Sequence, residues 1–302
     1  MPEKNLCQGR SLHDAARTLN IPFTKEQYPE DRQVVAGGLN FHYLDWGSKS
    51  DEPILLLHGI AQQAHSWDLV SLALSDRYRV VALDARGHGD TQWPSNQDYS
   101  IEAHQGDLDV FVEAIGLDKF ILVGHSMGGR NGYVFTSRRT EKVKALVIVD
   151  IGPDGERSGS QRIRRFVTLP DQLDSFEEFV LRVQEYTGRP LWMINGSLKH
   201  SVKQLPSGKW TWKYDKAIRN PNFSPGGWTP EDLWGCLDRI KCPVFVVRGA
   251  NSDIFSNDTL EHMLRAIPGS KGTVIPDSGH LVVGDNTVGF IEAVEDFLST
   301  LG

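Results

Sequence analysis

Ser126 sits in the string Gly124-His125-Ser126-Met127-Gly128, directly after the apolar run Phe120-Ile121-Leu122-Val123. A serine on a sharp strand-to-helix turn presents its hydroxyl beyond the strand end. Such a turn demands nearly bare neighbours, which Gly124 and Gly128 supply on either side. The apolar run reads as a buried parallel strand, and Met127–Arg138 as the helix that follows it. A serine hydroxyl is a poor nucleophile at neutral pH, so acyl transfer here needs a histidine to take its proton and a carboxylate to orient that histidine. The competing reading is a glycine-rich turn carrying a solvent-facing serine.

Two later segments offer the partners. Cys242-Pro243-Val244-Phe245-Val246-Val247-Arg248-Gly249 reads as a strand, and Ala250-Asn251-Ser252-Asp253 places a carboxylate on the loop just past its carboxyl end. Gly272-Thr273-Val274-Ile275-Pro276-Asp277-Ser278-Gly279-His280 is a shorter strand that ends in a loop histidine. The order along the chain is Ser126, Asp253, His280.

On these residues the chain resembles the serine hydrolases of the α/β-hydrolase fold, whose triad follows in that order. The resemblance runs from about Gln33 to the C-terminus. Two further stretches carry it: Pro53-Ile54-Leu55-Leu56-Leu57-His58-Gly59-Ile60, similar to the family's strand ending in His-Gly, and Asp84-Ala85-Arg86-Gly87-His88-Gly89-Asp90, similar to its Asp-x-Arg-Gly-x-Gly loop. The resemblance implies an α/β fold with a mostly parallel central sheet flanked by helices and a helical cap inserted after the sixth strand. It also implies an oxyanion hole of two backbone N–H groups, from Met127 after the nucleophile and from Ile60 after the His-Gly pair. Asp150, ending the apolar run Ala145-Leu146-Val147-Ile148-Val149, is the acid position that some relatives use. Asp253 is preferred because the loop after the late strand is the commoner one. Asp277 is expected to shape its turn, and His58, His88 and His125 to brace backbone through their ring nitrogens.

Around these residues the chain divides into an N-terminal extension (1–32), a first part of the core (33–150), a cap insertion (151–230) and a second part of the core (231–302). Residues 33–46 alternate about Gly37-Gly38 as a hairpin does. A helix is expected near 66–75, a strand at 78–84 and an amphipathic helix at 101–115, with Leu108, Phe111, Val112 and Ile115 on one face. Strand and helix in succession argue for a parallel sheet covered on both faces. That rhythm breaks after Asp150. The stretch that follows carries Trp192, Trp210, Trp212 and Trp228, which either line an apolar cleft or pack the cap on the core. Residues 175–186 read as a helix there, and the basic residues of 157–165 as a solvated helix face.

Composition bounds the rest. A chain of 302 residues with 39% hydrophobic content can bury a sizeable core. A net charge of −7 offers no broad footprint for nucleic acid. No apolar run approaches the roughly 20 residues of a membrane span, and the N-terminus lacks the apolar segment of a secretory signal. Three cysteines, Cys7, Cys236 and Cys242, suit a reducing compartment, so a cytoplasmic location is expected. No metal and no nucleotide cofactor is expected: the cysteines lack further ligands at metal spacing, and no phosphate-binding glycine loop stands ahead of a helix. The partner is a small-molecule substrate, and nothing in the sequence sets an oligomeric state.

The expected chemistry is hydrolysis of an ester or lactone of a small to medium, mainly apolar substrate through an acyl-enzyme. Relatives that open haloalkanes or epoxides carry an aspartate nucleophile, whereas this elbow holds Ser126. Carbon–carbon bond hydrolysis, cofactor-free perhydrolysis and amide cleavage use the same triad and stay open. A ligand receptor with slow or no turnover is the alternative from another class.

Overall fold

The computed structural model describes residues 10–220 and 226–301; Cys7 and the first nine residues of the expected extension lie outside them. Ten strands and eleven α-helices alternate along these residues. The first helix, within the described part of the extension, is α1 (Leu12–Thr18), capped by the Ser11 side chain. Next come β1 (Glu30–Ala36), β2 (Leu39–Trp46), β3 (Pro53–Leu57), α2 (Asp68–Leu74), β4 (Arg79–Leu83), α3 (Ile101–Ala114), β5 (Phe120–His125), α4 (Met127–Arg138) and β6 (Val143–Val149). The predicted hairpin forms, with Val35 opposite Asn40 around the Gly37-Gly38 turn, although β1 already begins at Glu30.

Eight strands form one sheet in the order β1-β2-β4-β3-β5-β6-β9-β10, where β9 is Val244–Gly249 and β10 is Lys271–Ile275. From β4 to β10 every pairing is parallel; β2 alone runs against the others, pairing antiparallel with both β1 and β4. The continuous apolar runs follow from burial of both sheet faces. In β5, Phe120 and Leu122 point into one core and Ile121 and Val123 into the other. The first core is closed by α3, α4, α8 (Pro230–Leu237) and α9 (Asn257–Ala266), and the second by α1, α2, α10 (Val282–Asp285) and α11 (Thr287–Ser299). Truncating a fully buried leucine such as Leu122 to alanine would cost about 2–5 kcal/mol.

Between β6 and α8 the chain leaves the sheet. It forms α5 (Arg157–Val167), α6 (Phe176–Thr187), α7 (Leu191–Leu198) and a small hairpin of β7 (Val202–Gln204) and β8 (Trp210–Trp212). These elements have an apolar cluster of their own, in which Val167, Phe179, Ile194 and Trp212 meet Tyr99 of the core. The Phe179 and Trp212 rings pack edge to face at 4.7 Å. The arginines of Arg157–Val167 are exposed, as their charge suggests, and Arg162 among them pairs with Asp253 of the core, while Gly159 and Val167 are buried.

Candidate active site

Parallel strands bring their carboxyl ends to one edge of the sheet, and β5, β6, β9 and β10 are consecutive there. Ser126 is one residue past β5 and Asp150 one past β6. The Ser126 N–H donates to the Val149 carbonyl at 2.9 Å, and the Asp150 N–H to Val247 at 2.8 Å, so both turns are pinned to the neighbouring strand. Ser126 has φ 52° and ψ −116°, a left-handed conformation that a serine adopts only under constraint. The glycines are needed for space: a Cβ on Gly128 would overlap the Leu57 carbonyl, and one on Gly124 the Gly128 carbonyl.

His280 reaches this edge from the loop after β10. Its Nε2 lies 2.9 Å from Ser126 Oγ, and its Nδ1 lies 2.8 Å from Asp150 Oδ2. A carboxylate only accepts, so Nδ1 carries the proton and Nε2 is left to accept from the serine hydroxyl. The structure thus brings Ser126 and His280 together and places Asp150, not the expected Asp253, beside His280. Asp253 instead accepts two hydrogen bonds from the Arg162 guanidinium, at 2.8 and 3.1 Å, and is partly exposed. Asp150 is fully buried, with Oδ1 accepting from the Gly249 N–H at 2.7 Å and Oδ2 also from the Ser252 hydroxyl at 2.5 Å.

The residue that turns inward from the loop after β9 is therefore Ser252, one position before the expected acid. Arg248 holds that loop through the carbonyls of Ala250 and Phe255, at 3.1 and 2.6 Å. Neither Ser252 nor Arg248 was expected in the site. The sequence signal for Asp150 was its place directly after a strand next to β5, which becomes decisive only once the strand order is known.

Three other histidines, His58, His88 and His125, act on backbone. His58 Nε2 accepts from the Ala85 N–H at 3.0 Å, which leaves Nδ1 to donate to the Gly59 carbonyl at 2.7 Å. His125 donates from Nε2 to the carbonyl of His280 itself, at 2.8 Å. His88 Nδ1 donates to the Arg86 carbonyl at 2.9 Å. Burial lowers all three, His88 and His125 to about 3, so they stay neutral. Asp277 has φ 52° and shapes the turn before His280.

Ser126 and His280 open into a cavity of about 430 Å³. Ile60 and Gln62 line it from the core, and Phe166, Val183, Trp192 and Trp212 from the insertion. Trp210 packs instead on Phe176, and Trp228 lies against the first core under Arg138. Met127 opens α4, so its N–H points off the helix start beside Ser126. Ile60 follows the His58-Gly59 pair at the end of β3, on the same edge of the sheet.

Among the described residues two groups have ligand atoms close enough to share a cation: His65, Asp68 and His200, and His42, Asp84 and Asp90. Neither is arranged for one. The His65 and His200 rings stack at 3.5 Å and 16°, so their in-plane lone pairs run side by side rather than converging. Asp84 already accepts from His42 and from the N–H groups of Ala64 and Asp90. Cys236 is buried and Cys242 half-buried, and neither is in a disulfide. No helix among the described residues is long and apolar enough to cross a membrane.

A mostly parallel eight-stranded sheet with a serine elbow and a histidine at its carboxyl edge defines an α/β-hydrolase. The family model for the alpha/beta hydrolase fold matches residues 52–287, and the chain belongs to that family. It is similar to an esterase of Mycobacterium tuberculosis, 28% identical over 286 residues that cover 90% of each chain. It is also similar to a 3-hydroxybutyrate-oligomer hydrolase of Cupriavidus necator, 28% identical over 261 residues, covering 81% of this chain and 88% of that one. A solved alpha/beta hydrolase from Novosphingobium aromaticivorans superposes with a TM-score of 0.80 at 26% identity, over 91% of this chain and 99% of that one. The chain is an enzyme of the hydrolase class.

Proposed function

We propose that this hydrolase cleaves a carboxylic ester or lactone of small to medium, mainly apolar character through an acyl-enzyme on Ser126. The observation that carries the reading is the unbroken line from Ser126 Oγ to His280 Nε2 and from His280 Nδ1 to Asp150, at 2.9 and 2.8 Å. His280 takes the serine proton as Oγ attacks the substrate carbonyl, and the imidazolium so formed is held by Asp150. The amides of Met127 and Ile60 receive the negative charge on the carbonyl oxygen. His280 then protonates the leaving alcohol. Water activated by the same histidine releases the acid.

Residues 151–230 act in this reading as the cap: Phe166, Val183 and Trp212 present apolar surface over the serine, which favours an acyl or alcohol group with little charge. The name of the M. tuberculosis relative supports ester cleavage. A fluorophosphonate probe tests the nucleophile: mass analysis is expected to find the adduct on Ser126 in the wild type and none after Ser126→Ala. An adduct of equal yield in Ser126→Ala would overturn the proposal.

A further inference from the structure

The link between α6 and α7 is tightly specified. Gly188 ends α6 with φ 71°, a left-handed cap open to glycine at no steric cost, and Pro190 starts α7. Arg189 between them is thrown out of the insertion and across to the core. There its Nε donates to Asp285 Oδ1 at 2.9 Å, and its Nη2 donates to the Leu281 carbonyl at 2.9 Å. The other oxygen of Asp285 accepts from the Gly279 N–H at 3.0 Å. One arginine–aspartate pair therefore grips the backbone on both sides of His280, at the N–H of the residue before it and at the carbonyl of the residue after it. The guanidinium lies flat on Gly284, where any Cβ would collide with it. Arg189 and Asp285 are only 20% and 18% exposed, so the pair is shielded enough to be more than a solvated surface contact.

We infer that Arg189 is a positioning residue for His280, by which docking of the insertion on the core sets the alignment of the proton acceptor with Ser126. The His280 imidazole has no side-chain brace on its loop; its direction depends on Asp150 at one nitrogen and on where the backbone of 279–281 holds its Cα. His125 holds the His280 carbonyl from the core, and the insertion adds the second grip through Arg189, on the Leu281 carbonyl and on the Asp285 that holds the Gly279 N–H. A shift of about 1 Å in such a group costs on the order of 100-fold in rate. The inference rests on Ser126, His280 and Asp150 being the reacting set.

The test compares wild type, Ser126→Ala, Arg189→Met, Arg189→Lys, Asp285→Asn and the Arg189→Met/Asp285→Asn double variant on one short nitrophenyl ester, with kcat, KM and thermal midpoint measured for each. Arg189→Met is expected to lower kcat by about 10- to 100-fold with KM within about threefold. Arg189→Lys, which keeps the charge and one donor, is expected to recover part of the loss. The double variant is expected to be no slower than the slower single one, because both ends belong to one device. Should Arg189→Met not fold, Asp285→Asn and Arg189→Lys carry the same comparison. A kcat within about twofold of wild type in the folded variants, a loss seen only in KM, or losses that multiply would overturn the positioning role. Ser126→Ala separates the two readings: activity retained there defeats the proposed reaction, whereas activity lost there but intact in the Arg189 variants defeats only the positioning role.

Discussion

The Ser252 hydroxyl donates to the Asp150 carboxylate at 2.5 Å, while the neighbouring Asp253 turns away to Arg162. Ser252 and Asp253 thus face opposite ways in the turn after β9, one toward Asp150 and the other toward Arg162. The loop after β9 meets His280's partner Asp150 as a hydrogen-bond donor.

That donor has a measurable value. Removing the Ser252 hydroxyl leaves one oxygen of a buried carboxylate short of a partner, so Ser252→Ala should lower stability by about 1–3 kcal/mol, read from urea unfolding. The Ser252 hydroxyl also accepts from the N–H groups of Ile254 and Phe255, which adds to the loss. An unchanged urea midpoint would show that water replaces the hydroxyl without cost.

The elbow glycines make a second prediction. A methyl group on Gly128 must push into the Leu57 carbonyl at the end of β3, next to the strand turn that carries Ile60. Gly128→Ala should destabilise the fold by about 1–3 kcal/mol and depress kcat in whatever fraction folds. Gly208→Ala is the control for fold sensitivity to a glycine loss, since nothing stands near that position although its φ of 84° strains an alanine. If Gly128→Ala is no worse than Gly208→Ala in midpoint and kcat, crowding at the elbow is not what fixes the serine.

Stability should also depend on pH through the buried histidines. Burial drives His88 and His125 down to about 3, whereas the unfolded chain's histidines sit near 6.5. Between those values the unfolded state binds more protons, so stability falls as pH drops, by up to about 1.4 kcal/mol per pH unit for each group. His42 runs the other way: burial opposes its charge, but the hydrogen bond and charge of Asp84 outweigh that and raise it. Its contribution is fully present below pH 6.5 and leaves the trend unmasked. The urea midpoint at about pH 5 should be lower than at about pH 6.5; equal midpoints would contradict neutral burial of these rings.

Much of the fold was legible because burial on both faces writes itself as unbroken apolar runs. Phe120-Ile121-Leu122-Val123 and the helix after it appear where expected, and so does the amphipathic helix at Ile101–Ala114. Ser126 and His280 stand out in the sequence because each follows the carboxyl end of an apolar strand run. Asp150 and Asp253 both lie past the carboxyl ends of adjacent strands, β6 and β9, and no local pattern says which carboxylate turns inward. That depends on Ser252, on the Arg248 grip and on Arg162 offering Asp253 a partner across 91 positions of sequence. The strands of the β7–β8 hairpin are only three residues each, too short to show a period. Arg189 and Asp285 were invisible for the same reason as Asp150: they are 96 positions apart and meet only when the insertion folds onto the sheet.

We propose that Asp150, and not Asp253, orients His280. Asp150→Asn and Asp253→Asn, assayed side by side on one activated ester, test it most directly. Asp150→Asn should lose about 10⁴ in kcat, because an amide cannot hold the imidazole in the tautomer that accepts the serine proton, and Asp253→Asn no more than a few-fold. The reverse ranking, or equal losses in the two variants, would contradict it.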